Sequence, residues 1–173
     1  MSVGDDLRDI EVLDLAGRPM RMGHLWMDHT IVLSFVRHFG CMLCREQVTA
    51  LHDSLPSIRR NGAELVVVGS GQPEQISDFR EQLGLNIPIY VDPERRAYDA
   101  AGLKRGLWLT FKPRTWGNWL RAYRQGMRQG SLQGDNWQQG GVFVIRPGNV
   151  TSYAYVSQEA GDHPPVEEVI AAV

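Results

Sequence analysis

The chain has 173 residues and a mass of 19.5 kDa, a length suited to one domain with room for an insertion. Apolar residues make up 43% and charged residues 22%, the formal net charge is −2, and mean hydropathy is −0.27. These values are ordinary for a globular protein and exclude a disordered, collagen-like or multidomain chain. No stretch approaches the roughly 18 apolar residues of a membrane span. Met1 to Asp6 carry no basic-then-apolar leader, so a cytoplasmic protein is expected. The charge balance gives no global reason to expect nucleic acid.

In chain order, Ile10 to Leu15 and Arg18 to Met22, around Gly17, read as a small hairpin. Thr30 to Val36 is a nearly continuous apolar run, the pattern of a strand buried on both faces in a parallel sheet. A helix is expected over Met42 to Arg60, with Val48, Leu51, Leu55 and Ile58 at helical spacing and Asn61-Gly62 as its left-handed stop. Leu65 to Gly69 is a second buried strand, which completes a βαβ unit. A helix follows over Pro73 to Leu83, a short strand over Pro88 to Val91, and a turn or two of helix over Glu94 to Ala101. Gly141 to Ile145 and Thr151 to Val156 flank Pro147-Gly148-Asn149 and read as an antiparallel hairpin. A last helix starts near Pro164-Pro165 and carries Val166, Val169, Ile170 and Val173 on one face. The order βαβ, further α/β elements, then ββα supports an α/β fold and matches a thioredoxin-like plan, an assignment that leans on the cysteine motif that follows. It is read as one domain over 1–173, with an insertion at about 104–139.

Two cysteines are too few for a disulfide scaffold or a four-cysteine zinc site. They stand as Cys41-Met42-Leu43-Cys44, directly after a buried strand and at the opening of a helix. Free backbone amides and the positive dipole end of a helix favour a thiolate there. Arg37, His38 and Arg45 are close enough in sequence to add positive potential. Three-residue spacing on a helical turn lets the sulfurs meet in a disulfide. A redox pair is the leading reading. Its alternatives are a His38-x-x-Cys41-x-x-Cys44 zinc array completed from elsewhere and two inert buried thiols.

The motif and its setting resemble the redoxin superfamily of alkyl hydroperoxide reductases and thiol-specific antioxidants, in its peroxiredoxin-like branch with a C-x-x-C motif. Gly4 to Gly17, Leu33 to Glu46, Gly140 to Ile145 and Gly161 to Pro164 all carry the resemblance. It implies a thioredoxin-like mixed sheet flanked by helices, with an N-terminal hairpin and a helical insertion. It implies a thiol-dependent antioxidant oxidoreductase that reduces a peroxide through a Cys41–Cys44 dithiol. A relative in this branch is associated with prostaglandin-type endoperoxides, which widens the substrate class to other O–O compounds. A typical peroxiredoxin has Pro-x-x-x-Thr-x-x-Cys at this turn; here Arg37, Cys41 and Cys44 occupy those positions. The arginine expected before the late strand falls near Gln139-Gly140, so Arg37 or Arg114 would have to replace it. By thioredoxin logic Cys41 attacks and Cys44 resolves, and by peroxiredoxin alignment the roles reverse. The more open end of the turn favours Cys41.

Between Asp99 and Asp135 lie seven basic residues and no acidic one. Trp116, Trp119, Leu120, Tyr123 and Met127 form a stripe at helical spacing, with Arg121, Arg124 and Arg128 on another face. This basic amphipathic helix reads either as packed on the sheet or as a lid over the cysteines. In the second case Arg114, Trp119 and Arg121 would bind an anionic, partly apolar oxidised substrate, as a lipid-like hydroperoxide is. Contact with an anionic membrane is a lesser alternative, and no nucleic-acid motif accompanies the basic residues. His24, His29, His52 and His163 read as surface or capping residues, Glu46 as a solvated first-turn acid or a proton relay near Cys44, and Gly69-Ser70-Gly71 as a turn. No metal, flavin or nicotinamide motif stands in the chain, so no cofactor is expected. Reducing equivalents would come from a thioredoxin-type or low-molecular-weight thiol. The competing functions are a thiol–disulfide oxidoreductase acting on proteins and a non-catalytic redox sensor or interaction domain. Oligomeric state is not encoded in any pattern read here.

Overall fold

The computed structural model describes residues 2–103, 117, 120, 121, 123, 124, 138–158 and 161–173. Helix α1 (Val3–Leu7) precedes strands β1 (Glu11–Leu13) and β2 (Pro19–Arg21) and the 3-10 turn η1 (Met22–Trp26). The centre is β3 (Thr30–Val36), α2 (Met42–Asp53), α3 (Leu55–Arg60), β4 (Ala63–Gly69), α4 (Glu74–Leu83), β5 (Ile89–Val91) and α5 (Arg96–Ala100). Strands β6 (Gly141–Arg146) and β7 (Val150–Val156) and helix α6 (Val166–Ala171) close the chain.

The strands form one sheet in the order β2-β1-β5-β4-β3-β6-β7. β3, β4 and β5 run parallel, and β6, β7, β1 and β2 add antiparallel flanks. This is the expected mixed α/β plan. Side chains alternate along each strand with a period of two. Val32, Val36, Leu65, Val67, Val142 and Val144 enter the core shared with α2, α3, α4 and α6. Ile31, Leu33, Phe35, Val66, Val68, Phe143 and Ile145 enter the core shared with α1, η1 and α5. Burial on both faces explains why β3 and β4 read as continuous apolar runs. The carboxyl ends of the parallel strands, where α2 begins, are the usual place for a site in such a sheet.

The single helix expected over Met42 to Arg60 is two helices. Pro56 sits in the first turn of α3, has no N–H to give the His52 carbonyl, and its ring would collide with that carbonyl in a continuous helix. The Ser54 amide bonds the His52 carbonyl instead, and the chain restarts. Gly62, not Asn61, takes the left-handed conformation that ends α3 (φ 83°). The N-terminal helix α1 was not expected. Its signal is a capping box in which Ser2 and Asp5 satisfy each other's backbone amides. At the far end of the sheet, Trp26 Nε1 donates to Asn149 Oδ1 at 2.9 Å, which ties η1 to the β6–β7 turn. Most of the insertion at about 104–139 lies outside the described residues. Among the described residues no helix is long and apolar enough to cross a membrane.

Candidate active site

The Cys41 backbone is the N-cap of α2, and Cys44 lies in the helix's first turn. The approach from β3 is held at several points. Ser70 Oγ donates to the Arg37 carbonyl at 2.6 Å, Tyr98 Oη donates to the Val36 carbonyl at 2.6 Å, and the Cys41 amide donates to the His38 carbonyl at 3.1 Å. Phe39 packs on Phe79 with ring centroids 4.8 Å apart. Its ring fills the space beside Gly69, where a Cβ would collide with it. Arg45 Nε donates to the Phe39 carbonyl at 3.0 Å. Gly69-Ser70-Gly71 therefore does more than turn the chain, because it receives Phe39 and holds Arg37.

Both thiols are free and both are buried, Cys41 at 4% exposure and Cys44 at 3%. Neither end of the turn is the open one, so exposure does not distinguish the sulfurs. Electrostatics does. The Cys41 thiol is brought down to about 6, first by the hydrogen bond that the Cys44 side chain donates to it. The Arg37 charge and the Cys44 and Leu43 amides lower it further, against the opposing effect of burial. The Cys44 thiol is pushed well up, first by burial and then by its bond to, and the charge of, Cys41. The Arg37 amide lies 3.4 Å from Cys44 Sγ. One sulfur is thus a thiolate at neutral pH and the other a thiol that supports it. Tyr98 and Arg45 lie within electrostatic reach. Burial and the charges of Asp92 and Cys44 hold the Tyr98 phenol protonated, while burial lowers Arg45 and Cys41 opposes that.

A dithiol at a strand–helix junction with one depressed thiol is the equipment of redox enzymes on this fold. Residues 50–159 match the family model described as AhpC/TSA antioxidant enzyme. The chain belongs to that family. The match begins after the cysteine pair and bears on the frame around it. The thioredoxin-like protein AAED1, chloroplastic, of Arabidopsis thaliana is 36% identical over 97% of this chain and 71% of that one. The prostamide/prostaglandin F synthase of Salmo salar is 29% identical over 92% of this chain and 82% of its own. The crystal structure of peroxidoxin BcpB from Mycobacterium tuberculosis superposes with a TM-score of 0.72 at 20% identity, covering 99% of this chain and 96% of that one. The fold is accordingly the thioredoxin-like one of peroxiredoxins, and the protein is a thiol-dependent oxidoreductase of the peroxiredoxin-like type.

Within that AhpC/TSA frame, Arg37 stands where the usual motif has proline. It is buried at 7% exposure, and its Nε donates to the Gln138 carbonyl at 3.0 Å. It therefore links the cysteine turn to the segment just before β6, where the family's arginine is absent. Gly140 lies against the β3 backbone, and a Cβ there would run into the Phe35 carbonyl. Arg121 is helical and exposed. Its guanidinium clasps the Glu46 carboxylate, with Nε to Oε1 at 2.9 Å and Nη2 to Oε2 at 3.2 Å. Glu46 is thus paired rather than simply solvated. Leu120 and Tyr123, two members of the apolar stripe, are exposed. Arg114 and Trp119 lie outside the described residues.

Two residues beside the cysteines were not expected to be there. His163 Nε2 donates to the Leu43 carbonyl at 2.8 Å, and Gln47 is buried on α2. Both line a cavity of about 10 Å³ that also touches Arg37, Cys44 and Gln139. A larger groove of about 280 Å³ adjoins it, lined among others by Glu46, Leu51, Arg121, His163 and Pro164. The Asp162-His163-Pro164 sequence marked a helix start, but nothing in it points 120 residues back to Leu43. Among the described residues no group of three or more His, Cys, Asp or Glu side chains converges as metal ligands.

Proposed function

We propose that this chain reduces the O–O bond of a peroxide or endoperoxide, with Cys41 as the attacking sulfur. The thiolate forms an S–O bond as the O–O bond breaks, and the other oxygen leaves as an alcohol or water. Cys44 then attacks the Cys41 sulfur, which a hydroperoxide leaves as a sulfenic acid and an endoperoxide leaves as a sulfenate ester, closes the disulfide and releases water or the second alcohol. An external thiol, either a thioredoxin-type protein or a small thiol, returns both cysteines to the reduced state. The observation that carries this reading is the opposite displacement of the two thiols within one helical turn. Arg37 adds a buried positive charge to the Cys44 hydrogen bond that lowers Cys41, and in this proposal that charge also favours the negative charge that develops on the leaving oxygen.

The salmon relative's name, a prostamide/prostaglandin F synthase, keeps an endoperoxide within the proposed substrate class. The groove beside the site has an apolar floor at Leu51 and Pro164 and a polar rim at Glu46 and Arg121. These features suit a partly apolar substrate. Arg121 serves an anionic substrate only by exchanging its Glu46 partner for the substrate's carboxylate, and Arg114 and Trp119 complete the proposed substrate contacts. A protein disulfide is a poorer substrate, because sulfurs at 3–4% exposure admit a small oxidant more readily than a second backbone. A cytoplasmic location remains part of the proposal, although the Arabidopsis relative is named as chloroplastic.

The test is mass spectrometry on the reduced protein with one equivalent of hydrogen peroxide or of a fatty-acid hydroperoxide. Loss of two protons from the Cys41–Cys44 peptide within seconds is the expected result. Silence towards both oxidants, with both thiols titratable, would refute the proposal.

A further inference from the structure

The small cavity beside Cys44 has an unusual wall. Gln47 Nε2, both amide atoms of Gln139, and His163 Nδ1 are buried without a hydrogen-bond partner. Gln47 is 6% exposed and Gln139 0%. Buried polar atoms are nearly always satisfied, so a cluster of them around one chamber identifies a polar occupant. The volume of about 10 Å³ is about the room one water molecule needs. The wall offers two amide donors and two acceptors, so a water can bond both acceptors and one amide and keep a lone pair for the Cys44 thiol. His163 is an acceptor at Nδ1 because its Nε2 proton is committed to the Leu43 carbonyl.

We propose that this chamber holds a water that carries the Cys44 proton to His163, making His163 a positioning and proton-relay residue for disulfide closure. This inference rests on the reading of Cys44 as the resolving sulfur. Closure requires Cys44 to lose its proton, and Cys44 is otherwise sealed at 3% exposure. The water accepts the Cys44 proton and passes one to His163 Nδ1. The Cys44 electron pair forms the S–S bond as the S–O bond of the Cys41 sulfenic acid breaks. Hydroxide leaves Cys41 and takes a proton from solvent to become water, which balances the proton that His163 releases. No electron acceptor beyond the peroxide is needed.

His163 is suited to the transfer by its position. It lines both the inner chamber and the outer groove, so it can release the proton towards solvent. Burial lowers its basicity, the Leu43 carbonyl, Glu46 and Asp162 raise it, and Arg121 lowers it. The net direction is downward, so the imidazole is neutral and able to accept at pH 7. The groups acting on the Cys44 end are Cys41 and Arg37, with the buried Tyr98 nearby.

The test separates closure from the first step. Sulfenic acid formation and disulfide closure would be timed by rapid quench after one equivalent of hydrogen peroxide, in the wild type and in His163→Gln. The ratio of closure rate to sulfenic acid formation is expected to fall roughly 100-fold. Wild-type closure should rise with pH through an inflection below 6.5 and then level. In His163→Gln it should climb steadily with hydroxide, and added imidazole should restore it. Gln139→Leu, which removes two of the water's partners, should slow closure without imidazole rescue, and it carries the test if His163→Gln fails to fold. The same closure would also be timed from a Cys41–glutathione mixed disulfide, which needs no peroxide. Closure with the wild-type rate and pH profile in both variants would overturn the relay. A His163-dependent closure from glutathione, with no reaction towards peroxide, would instead overturn the proposed activity alone.

Discussion

The cysteine turn and the groove beside it are built in opposite ways. Arg37 to Cys44 is buried and held by hydrogen bonds from Ser70 and Tyr98 and by the Phe39–Phe79 contact. The Cys44 hydrogen bond, the Arg37 charge and the amides that set the Cys41 thiolate come from residues within four positions of it. The groove is assembled from α2, Arg121 and the 161–166 segment, which meet only in three dimensions. Its main tie is an ion pair whose Arg121 side is 46% exposed. The comparison teaches that reactivity is set locally and rigidly, while access and proton movement depend on long-range contacts that are cheaper to alter.

The comparison is sharpened first by removing the sulfurs. Cys41→Ser should lower peroxide turnover by about 10⁴-fold, measured as peroxide consumed with an excess thiol reductant. Cys44→Ser should keep the first oxidation and lose closure. The next largest effect is expected at Arg37. A full return of Cys41 to an ordinary thiol at ~8.5 would lower the thiolate fraction at pH 7 about 30-fold, and Arg37→Met should cause only part of that fall because the Cys44 hydrogen bond remains. The second-order rate with hydrogen peroxide should fall with it. A rate unchanged by this substitution would show that the Cys44 hydrogen bond and the amides suffice.

The pH dependence follows from the same depression. The thiolate is the reactive form, so alkylation of Cys41 by iodoacetamide should rise as pH rises through about 6 and level above it. Between pH 5 and pH 7 the increase should be about tenfold. Thiol-specific mass spectrometry of the alkylated peptide checks it, and Cys44 should stay unlabelled through this range.

The smallest effect is expected in the groove. Arg121→Met and Glu46→Gln should each cost about 1 kcal/mol of stability, because the Arg121 side of the pair is 46% exposed and screened, while the Glu46 side is 12% exposed. Their effect should appear in KM for a fatty-acid hydroperoxide, with kcat for hydrogen peroxide little changed. A double-mutant cycle in urea denaturation would show whether the pair couples at all.

The same division governs what can be read from the sequence. The βαβ unit and the cysteine turn are legible because strand β3, the turn and α2 are contiguous and each carries its own pattern. The break before α3 was equally legible, since Pro56 cannot continue a helix, but the apolar spacing from Val48 to Ile58 masked it. α1 is short, and its signal is the Ser2–Asp5 capping box rather than periodicity. The meeting of His163 with Leu43, and of Arg121 with Glu46, has no local signature. It depends on how α6 and the insertion return to the sheet. The relative openness of the two sulfurs was likewise unreadable, because the folded chain buries both to a similar degree.

The central claim is that Cys41 attacks and Cys44 resolves. The direct measurement is to oxidise Cys41→Ser and Cys44→Ser in parallel with one equivalent of peroxide, trap with dimedone and map the adduct by mass spectrometry. Rapid accumulation of the adduct on Cys41 in the Cys44→Ser protein, with none on Cys44 in the other variant, is the predicted result. A rapid adduct on Cys44 in the Cys41→Ser protein would contradict it and reverse the two roles.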